Sequence, residues 1–225
     1  MSISLIIPAA GVGKRFSAHI KKQFTEIDDK PLIYWTIKRL ITAYNFDELI
    51  IGLNKDDIKF IENVMQYLNI NIPYIYVQGG KERANTVFNC LEKSNSDYAA
   101  VHDSVRPFVS NKAVQETINQ AYKTGAAICG MPVRDTVKKI ENNEIVSTIP
   151  RDNLFLAHTP QVFKKDIIYN ALHKSLNDNI LVTDEASACE YAGITVSTVL
   201  SNYENIKVTY AEDMELIDIF KKKFF

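Results

Sequence analysis

The sequence predicts an α/β protein built on a mostly parallel, doubly wound sheet, and three observations carry that prediction. Apolar runs of strand length alternate with stretches of helical periodicity from Ile3 to Met131, the pattern of repeated β-α units with helices on both faces of a sheet. The first run, Ile3 to Pro8, is almost continuously apolar and rich in isoleucine, as a strand buried on both faces requires. A turn containing Gly11 and Gly13 and followed by Lys14 and Arg15 comes directly after it, at the sheet edge where open α/β folds bind ligands.

Each element follows from the same reasoning. After Pro31, at a plausible first-turn position, Leu32, Tyr34, Trp35, Ile37, Leu40 and Ile41 recur at helical spacing. Glu48 to Leu53 reads as strand, Asp56 to Leu68 as helix and Pro73 to Val77 as strand. Ala84, Val87, Phe88 and Leu91 share a helical face; Tyr98 to His102 is a strand, Ala113 to Tyr122 a helix and Ala126 to Met131 a strand. The alternation then breaks. Thr136 to Ile140 and Ile145 to Ile149 are β-prone and flank the turn-forming Glu141-Asn142-Asn143-Glu144, a hairpin signal. Helices are expected at Lys165 to Leu176, Thr183 to Tyr191 and Ala211 to Phe220, with a strand at Thr195 to Leu200. With no linker and no defensible repeat, the expectation is a single domain over residues 1–225, with a protruding β-arm at about 133–158.

Composition narrows the class. Of the 225 residues 46% are apolar and 24% charged, ordinary for a globular chain with a real core. The 26 Lys and Arg against 27 Asp and Glu leave a net charge of −1, so no global field recruits nucleic acid or an anionic membrane, and any basic site must be local. No basic leader or spanning segment is read, which makes the cytoplasm the expected location. Cys90, Cys129 and Cys189 stand far apart without a CxxC pair and read as reduced core residues.

The chemistry concentrates at strand ends. The loop Pro8-Ala9-Ala10-Gly11-Val12-Gly13-Lys14-Arg15 has the glycines and cations of a phosphate cradle. It is neither a dinucleotide fingerprint, since Phe16 stands where the third glycine belongs, nor a P-loop, since Pro8 and Arg15 break that pattern. Lys21 and Lys22 add charge suited to a triphosphate. Gly79-Gly80 leads into a helix whose first turn offers the Thr86 hydroxyl, a candidate reader of a base edge. Asp103, in His102-Asp103-Ser104-Val105-Arg106-Pro107, ends a strand facing the phosphate loop and is the candidate ligand for magnesium, an ion served by one or two carboxylates plus phosphate oxygens. His102 reads as a packed, hydrogen-bonded side chain.

The set AAGVGKR, KKQF, GGKERANTV, HDSVRPF, PVRDTVKK, PRDNLFLAHTPQVF, TDEASACEYAG and NIKVT, in this order from Ala9 to Thr209, resembles the 2-C-methyl-D-erythritol 4-phosphate cytidylyltransferase family. The resemblance implies a fold of the nucleotide-diphospho-sugar transferase type, a homodimer formed through the β-arm, and use of magnesium. It also implies that CTP and a sugar-alcohol phosphate are joined, with release of pyrophosphate, on the non-mevalonate route to isoprenoids. Carried over by position, Ala9, Ala10, Gly11 and Gly13 cradle CTP, and Arg15 and Lys22 hold its phosphates and stabilise the transition state. Gly80 and Thr86 face cytosine, Asp103 with Ser104 serves the ribose, and Asp103 also serves magnesium. Arg106, Thr159, Thr183 and Lys207 line the sugar-phosphate side, Lys207 as a third catalytic cation, and Thr136 and Arg151 reach across the dimer to the substrate phosphate.

Three departures stand out. Lys21 replaces a frequent proline, which predicts a looser loop, Lys81 stands where an acidic residue can occur, and Thr86 replaces a common serine. A cytidylyltransferase for ribitol 5-phosphate or another polyol phosphate shares several of these motifs, but PVRDTVKK and TDEAS fit the methylerythritol family more closely.

Overall fold

The computed structural model of the chain describes residues 1–11 and 21–225. Its first half runs β1 (Ile3–Pro8), β2 (Glu26–Ile27), β3 (Lys30–Pro31), α1 (Leu32–Ala43), β4 (Glu48–Leu53), α2 (Ile58–Leu68), β5 (Tyr74–Gln78), α3 (Arg83–Lys93), β6 (Tyr98–Val101), α4 (Asn111–Thr124) and β7 (Ala126–Pro132). Then come β8 (Val137–Glu141), β9 (Glu144–Ile149), β10 (Phe155–Lys164), α5 (Lys165–Asn177), α6 (Glu185–Tyr191), β11 (Ser197–Leu200) and α7 (Asp213–Phe224). No described helix is long and apolar enough to cross a membrane.

Seven strands form the main sheet in the order β11-β7-β10-β6-β1-β4-β5. Alternation along β1 and β4 explains their apolar runs. Leu5, Ile7, Leu49 and Ile51 pack on the side of α1, α2 and α4, with Ile33, Ile37, Ile61 and Ile118. Ile6 and Ile50 pack on the opposite side with Val87 of α3, Leu172 of α5 and Cys189 of α6. Both faces are dry, so both residue parities are hydrophobic. All three cysteines are buried and free, and burial pushes the Cys90 and Cys189 thiols up to about 12.

The sequence reading assigns no element to β10, yet this strand runs through the sheet between β6 and β7, antiparallel to both. Pro160 and the polar His158-Thr159 pair hide it, because proline inside a run argues against a central strand. The contradiction resolves locally: the register with β7 shifts between Ala157 and Gln161, so Pro160 sits at the irregularity, where a missing N–H breaks no ladder bond. The pairing of Gln161 with Val101 brings Thr159 beside the residues that follow β6.

The β8–β9 hairpin forms a two-stranded sheet of its own, turning on Asn142 and Asn143 at φ +50° and +66°, the left-handed pair of a tight hairpin turn. Ile140, Ile145 and Val146 on it are exposed. The closing helix runs past the expected Phe220, and two of its lysines form ion pairs: Lys221 with Asp28 at 2.8 Å and Lys223 with Glu204 at 2.5 Å.

Helix α3 meets the sheet closely at Gly52, where an added Cβ would lie 2.4 Å from Thr86 Cγ2 and 3.1 Å from Cys90 Sγ. Thr86 is branched and buried and has little room to yield. Gly52→Ala is therefore expected to lower unfolding stability by about 1–3 kcal/mol, as overpacking does. Urea denaturation checks this, and an unchanged midpoint would contradict the close packing.

Candidate functional site

The parallel strands β1, β4, β5 and β6 end on one edge, and the segments leaving them wall a cavity of about 600 Å³. Ala10 and Gly11 come from the loop after β1, Asn54 from the end of β4, Gly80 to Arg83 from the turn after β5, and Asp103 to Val105 from the end of β6. Pro8, Lys22, Gln23, Thr86 and Lys207 complete its wall. Lys22, Lys81, Arg83 and Lys207 give four cations on that wall against the two anions Glu82 and Asp103, a balance of +2 among the described residues. A chain of net charge −1 thus has a local basic site, as expected. Gly13 and Arg15 lie outside the described residues.

The start of the first loop is fastened by two amides. Gln23 Nε2 donates to the carbonyls of Ala9 and Gly11 at 2.9 and 3.0 Å, and Asn54 Nδ2 donates to Ala10 O at 2.8 Å. Sequence reasoning passed over both, although Gln23 lies inside the KKQF motif. The segment entering Lys22 is not loose. Lys21 Nζ meets both carboxylate oxygens of the buried Asp57 at 2.7 Å, so a side-chain tie stands where the family often has proline.

The turn after β5 is built around the Thr86 hydroxyl, which accepts from Gly80 N–H at 3.0 Å and donates to Glu82 O at 3.2 Å. Its single proton is directed at the turn, so Thr86 shapes this part of the cavity wall. Gly79 is required by approach: an added Cβ would sit 2.2 Å from Ala10 Cβ, and the two loops close only without it.

Asp103 is the hub. Its Oδ1 accepts from Arg83 Nε at 3.1 Å, and its Oδ2 faces Arg106 Nε at 3.2 Å and Lys207 Nζ at 2.9 Å. Burial alone would raise its pKa, but Arg83, Lys207 and Arg106 hold it well below the usual carboxylate range. Behind the cavity wall, Asp103 N–H donates to Thr159 Oγ1 at 3.1 Å, and that hydroxyl is 3.1 Å from His102 Nδ1. His102 Nε2 lies 3.0 Å from Arg106 O. A carbonyl only accepts, so Nε2 carries the ring proton and Nδ1 takes the Thr159 hydroxyl proton. His102 is fully buried and neutral; burial pushes it down to about 4, with the Arg106 carbonyl pulling the other way.

The structure gathers Ala10, Gly11, Lys22, Gly80, Thr86, Asp103, Ser104 and Lys207 around one cavity, with the buried Ala9 just behind its wall. Among the described residues it does not bring Arg106, Thr159, Thr183, Thr136 or Arg151 there. Arg106 is buried, its Nη1 donating to Asn205 O at 2.7 Å, and Thr159 is buried in the chain just described, so both act on Asp103 from behind instead of lining the cavity. Thr183, Thr136 and Arg151 are exposed, and Arg151 Nη1 donates to Arg134 O. The sequence reading also missed Glu185 and Asn205. Glu185 stands in TDEAS as an ordinary first-turn acid, and Asn205 opens NIKVT; neither shows in sequence that it is wholly buried.

A family model described as 2-C-methyl-D-erythritol 4-phosphate cytidylyltransferase matches residues 3–222. A protein of that name from Bacillus cereus is 38% identical over 218 residues, covering 96% of each chain. The crystal structure of 4-diphosphocytidyl-2C-methyl-D-erythritol synthase from Anaerococcus prevotii superposes with a TM-score of 0.86 at 30% identity, over 98% of both chains. The Francisella tularensis 2-C-methyl-D-erythritol 4-phosphate cytidylyltransferase gives 0.82 at 30% identity, over 97% of this chain and 99% of that one.

Two stability measurements test the chain behind Asp103. Thr159→Val keeps the shape but strands Asp103 N–H and His102 Nδ1, at an expected cost of about 1–3 kcal/mol; a neutral result in denaturant titration would contradict the assignment. A histidine whose folded pKa lies below its unfolded 6.5 stabilises fully above that value and loses the contribution as pH falls through about 4. The stability gap between wild type and His102→Gln is therefore expected to narrow from pH 7 to pH 4, and a constant gap would show that His102 is not held neutral.

Proposed function

The chain belongs to the 2-C-methyl-D-erythritol 4-phosphate cytidylyltransferase family, and from that premise we propose that it transfers the cytidylyl group of CTP to 2-C-methyl-D-erythritol 4-phosphate, releasing pyrophosphate, in the non-mevalonate formation of isoprenoids. The observation that carries this reading is the cationic cavity at the strand ends, with Lys22 and Lys207 on its wall around a single ionised aspartate. The substrate phosphate monoester is already an anion near neutral pH. One of its oxygens forms the new bond to the α-phosphorus of CTP while the bond from that phosphorus to the β-phosphate oxygen breaks, and the electron pair leaves on pyrophosphate.

No proton needs to be removed from the nucleophile, so the reaction asks for no general base. That agrees with a site whose adjacent histidine, His102, has both ring nitrogens engaged inside the protein. The barrier is the meeting of two anions and the charge left on pyrophosphate, and it falls to positioned cations. In this reading Ala9, Ala10, Gly11 and Gly13 offer backbone groups to the triphosphate, Arg15 and Lys22 hold its phosphates, and Lys207 stands between nucleotide and acceptor. Gly80 and the turn shaped by Thr86 face the base, and Asp103 and Ser104 the ribose.

Magnesium is part of the proposal. Among the described residues no three Asp, Glu, His or Cys side chains cluster as a metal site, and of the two carboxylates on the cavity wall Glu82 caps the start of α3, which leaves Asp103 as the one offered to an ion. That donor set fits an ion carried chiefly by phosphate oxygens and joined by one carboxylate. Such an ion, when bound, neutralises charge on the leaving phosphates. For the acceptor side, we place Thr136 and Arg151 at the site of a second copy of this chain, in a homodimer formed through the β-arm around β8 and β9. The exposed Ile140, Ile145 and Val146 supply apolar surface for that contact. Thr183 borders the acceptor, with Arg106 and Thr159 supporting it through Asp103.

Pyrophosphate release with CTP and magnesium tests the reading, with methylerythritol phosphate and ribitol 5-phosphate supplied separately. Release with the first is expected, and release with the second alone would overturn the acceptor assignment. In the same assay Lys22→Ala and Lys207→Ala should each lower kcat by at least about 10²-fold with the fold intact, and near-normal turnover in both would contradict the roles given to them. Arg151→Ala should raise KM for the acceptor more than for CTP; equal effects would remove it from the acceptor site.

A further inference from the structure

Glu185 is wholly buried and plays no part in the chemistry just described. Its backbone is gripped from both sides at the start of α6. The Asp184 side chain accepts from Ser187 N–H at 2.9 Å. Gln161, on β10, donates from Nε2 to Asp184 Oδ2 at 2.8 Å and accepts from Ala186 N–H at 3.0 Å. The carboxylate so held takes Arg83 Nη1 at 2.6 Å and Nη2 at 3.1 Å, one on each oxygen. The third bonded nitrogen of Arg83, Nε, donates to Asp103 Oδ1.

A buried ion pair is a weak source of stability, since desolvation offsets most of its attraction and a well-packed apolar pair often does as well. What an apolar pair cannot do is orient a guanidinium. The group is planar, and once both Nη atoms are matched to one carboxylate the direction of its Nε–H is set. In this protein that direction ends on Asp103 Oδ1. Arg106 and Lys207 share the other oxygen, so the plane of the Asp103 carboxylate is fixed at both ends. The cations on Oδ2 are held by the loop after β6 and by the segment before α7, whereas Oδ1 depends on Arg83 alone among the described residues.

We infer that Arg83 is a positioning residue for ribose recognition, with Glu185 as its anchor: the pair sets the Asp103 carboxylate at the angle that meets the ribose hydroxyls of the nucleotide. The inference rests on the CTP reading above and adds to it the origin of selectivity for the ribonucleotide. A site built to hydrogen-bond a hydroxyl rejects the analogue that lacks it, provided its polar group is held in place.

The test compares kcat and KM for CTP, 2′-deoxy-CTP and 3′-deoxy-CTP in the wild type, Arg83→Lys and Glu185→Gln, with the melting temperature of each. Arg83→Lys keeps the charge and removes the planar fork. The wild type is expected to prefer CTP over at least one deoxy analogue, and both variants to lose that preference by at least about tenfold, through KM for CTP more than through kcat, as a misplaced contact does. Glu185→Gln leaves the part-buried Arg83 short of one of its two partners; if it does not fold, Arg83→Gln with Glu185→Gln removes both charges together and is expected to show the same loss. Folded variants with wild-type discrimination would overturn the inference and leave the pair as packing. A wild type that turns over CTP but does not distinguish the deoxy analogues would also overturn it, while leaving the CTP reading intact. A wild type inactive with CTP would fail the underlying reading itself.

Discussion

The architecture of the site depends on one buried carboxylate. Asp103 holds Arg83, Arg106 and Lys207 within 3.2 Å of its two oxygens, and the three come from the start of α3, the loop after β6 and the segment before α7. Without an anion at their centre these cations would repel one another at close range, by about 4 kcal/mol for each pair of unit charges 4 Å apart at an effective dielectric of 20. With it, Arg83 and Lys207 are held on the cavity wall, braced by the buried Arg106, on a protein whose overall charge is close to zero. Positive charge can be concentrated for an anionic ligand because a negative charge set among the cations organises it.

The rest of the fold supplies that carboxylate with its surroundings. Parallel strands bring four loops to one edge, and β10, running against them, delivers Thr159 to the backbone of Asp103 and Gln161 to the start of α6. The antiparallel strand therefore links the CTP-facing loops with the α6 region in the proposed scheme. His102 contributes by being unavailable: neutral, buried and bonded on both nitrogens, it fixes the peptide that carries Asp103 and offers no proton to a reaction that needs none.

Much of this was legible in the sequence. Two-faced strands announce themselves as continuous apolar runs, and the Asn142-Asn143 turn announces its hairpin. Charged residues beside glycines at strand ends mark the cavity, and Ala10, Lys22, Asp103 and Lys207 converge there as their motifs suggested. What stayed hidden depends on contacts distant in sequence. β10 was masked by Pro160, whose tolerance follows from a register shift that only the neighbouring strand reveals. Arg106 and Thr159, read as ligand-facing, instead brace Asp103. Glu185 looks like any acid in a first helical turn until Arg83, 102 positions earlier, is seen against it. Lys21 looked like the loss of a rigid proline, and only Asp57 on the neighbouring turn shows that its tether was replaced.

In the proposed scheme Asp103 acts by ordering the cavity and not by its charge alone, and those two effects have opposite signs for an anionic ligand. Replacing Asp103 with Asn makes the wall more positive while removing the group that aligns it. Calorimetric titration of CTP into wild type and Asp103→Asn, each confirmed as folded by circular dichroism, separates them. Binding is expected to weaken by at least about tenfold, on the order of 1.4 kcal/mol, despite the added positive charge. Equal or tighter binding by Asp103→Asn would contradict it and leave the cationic field alone as the basis of the site.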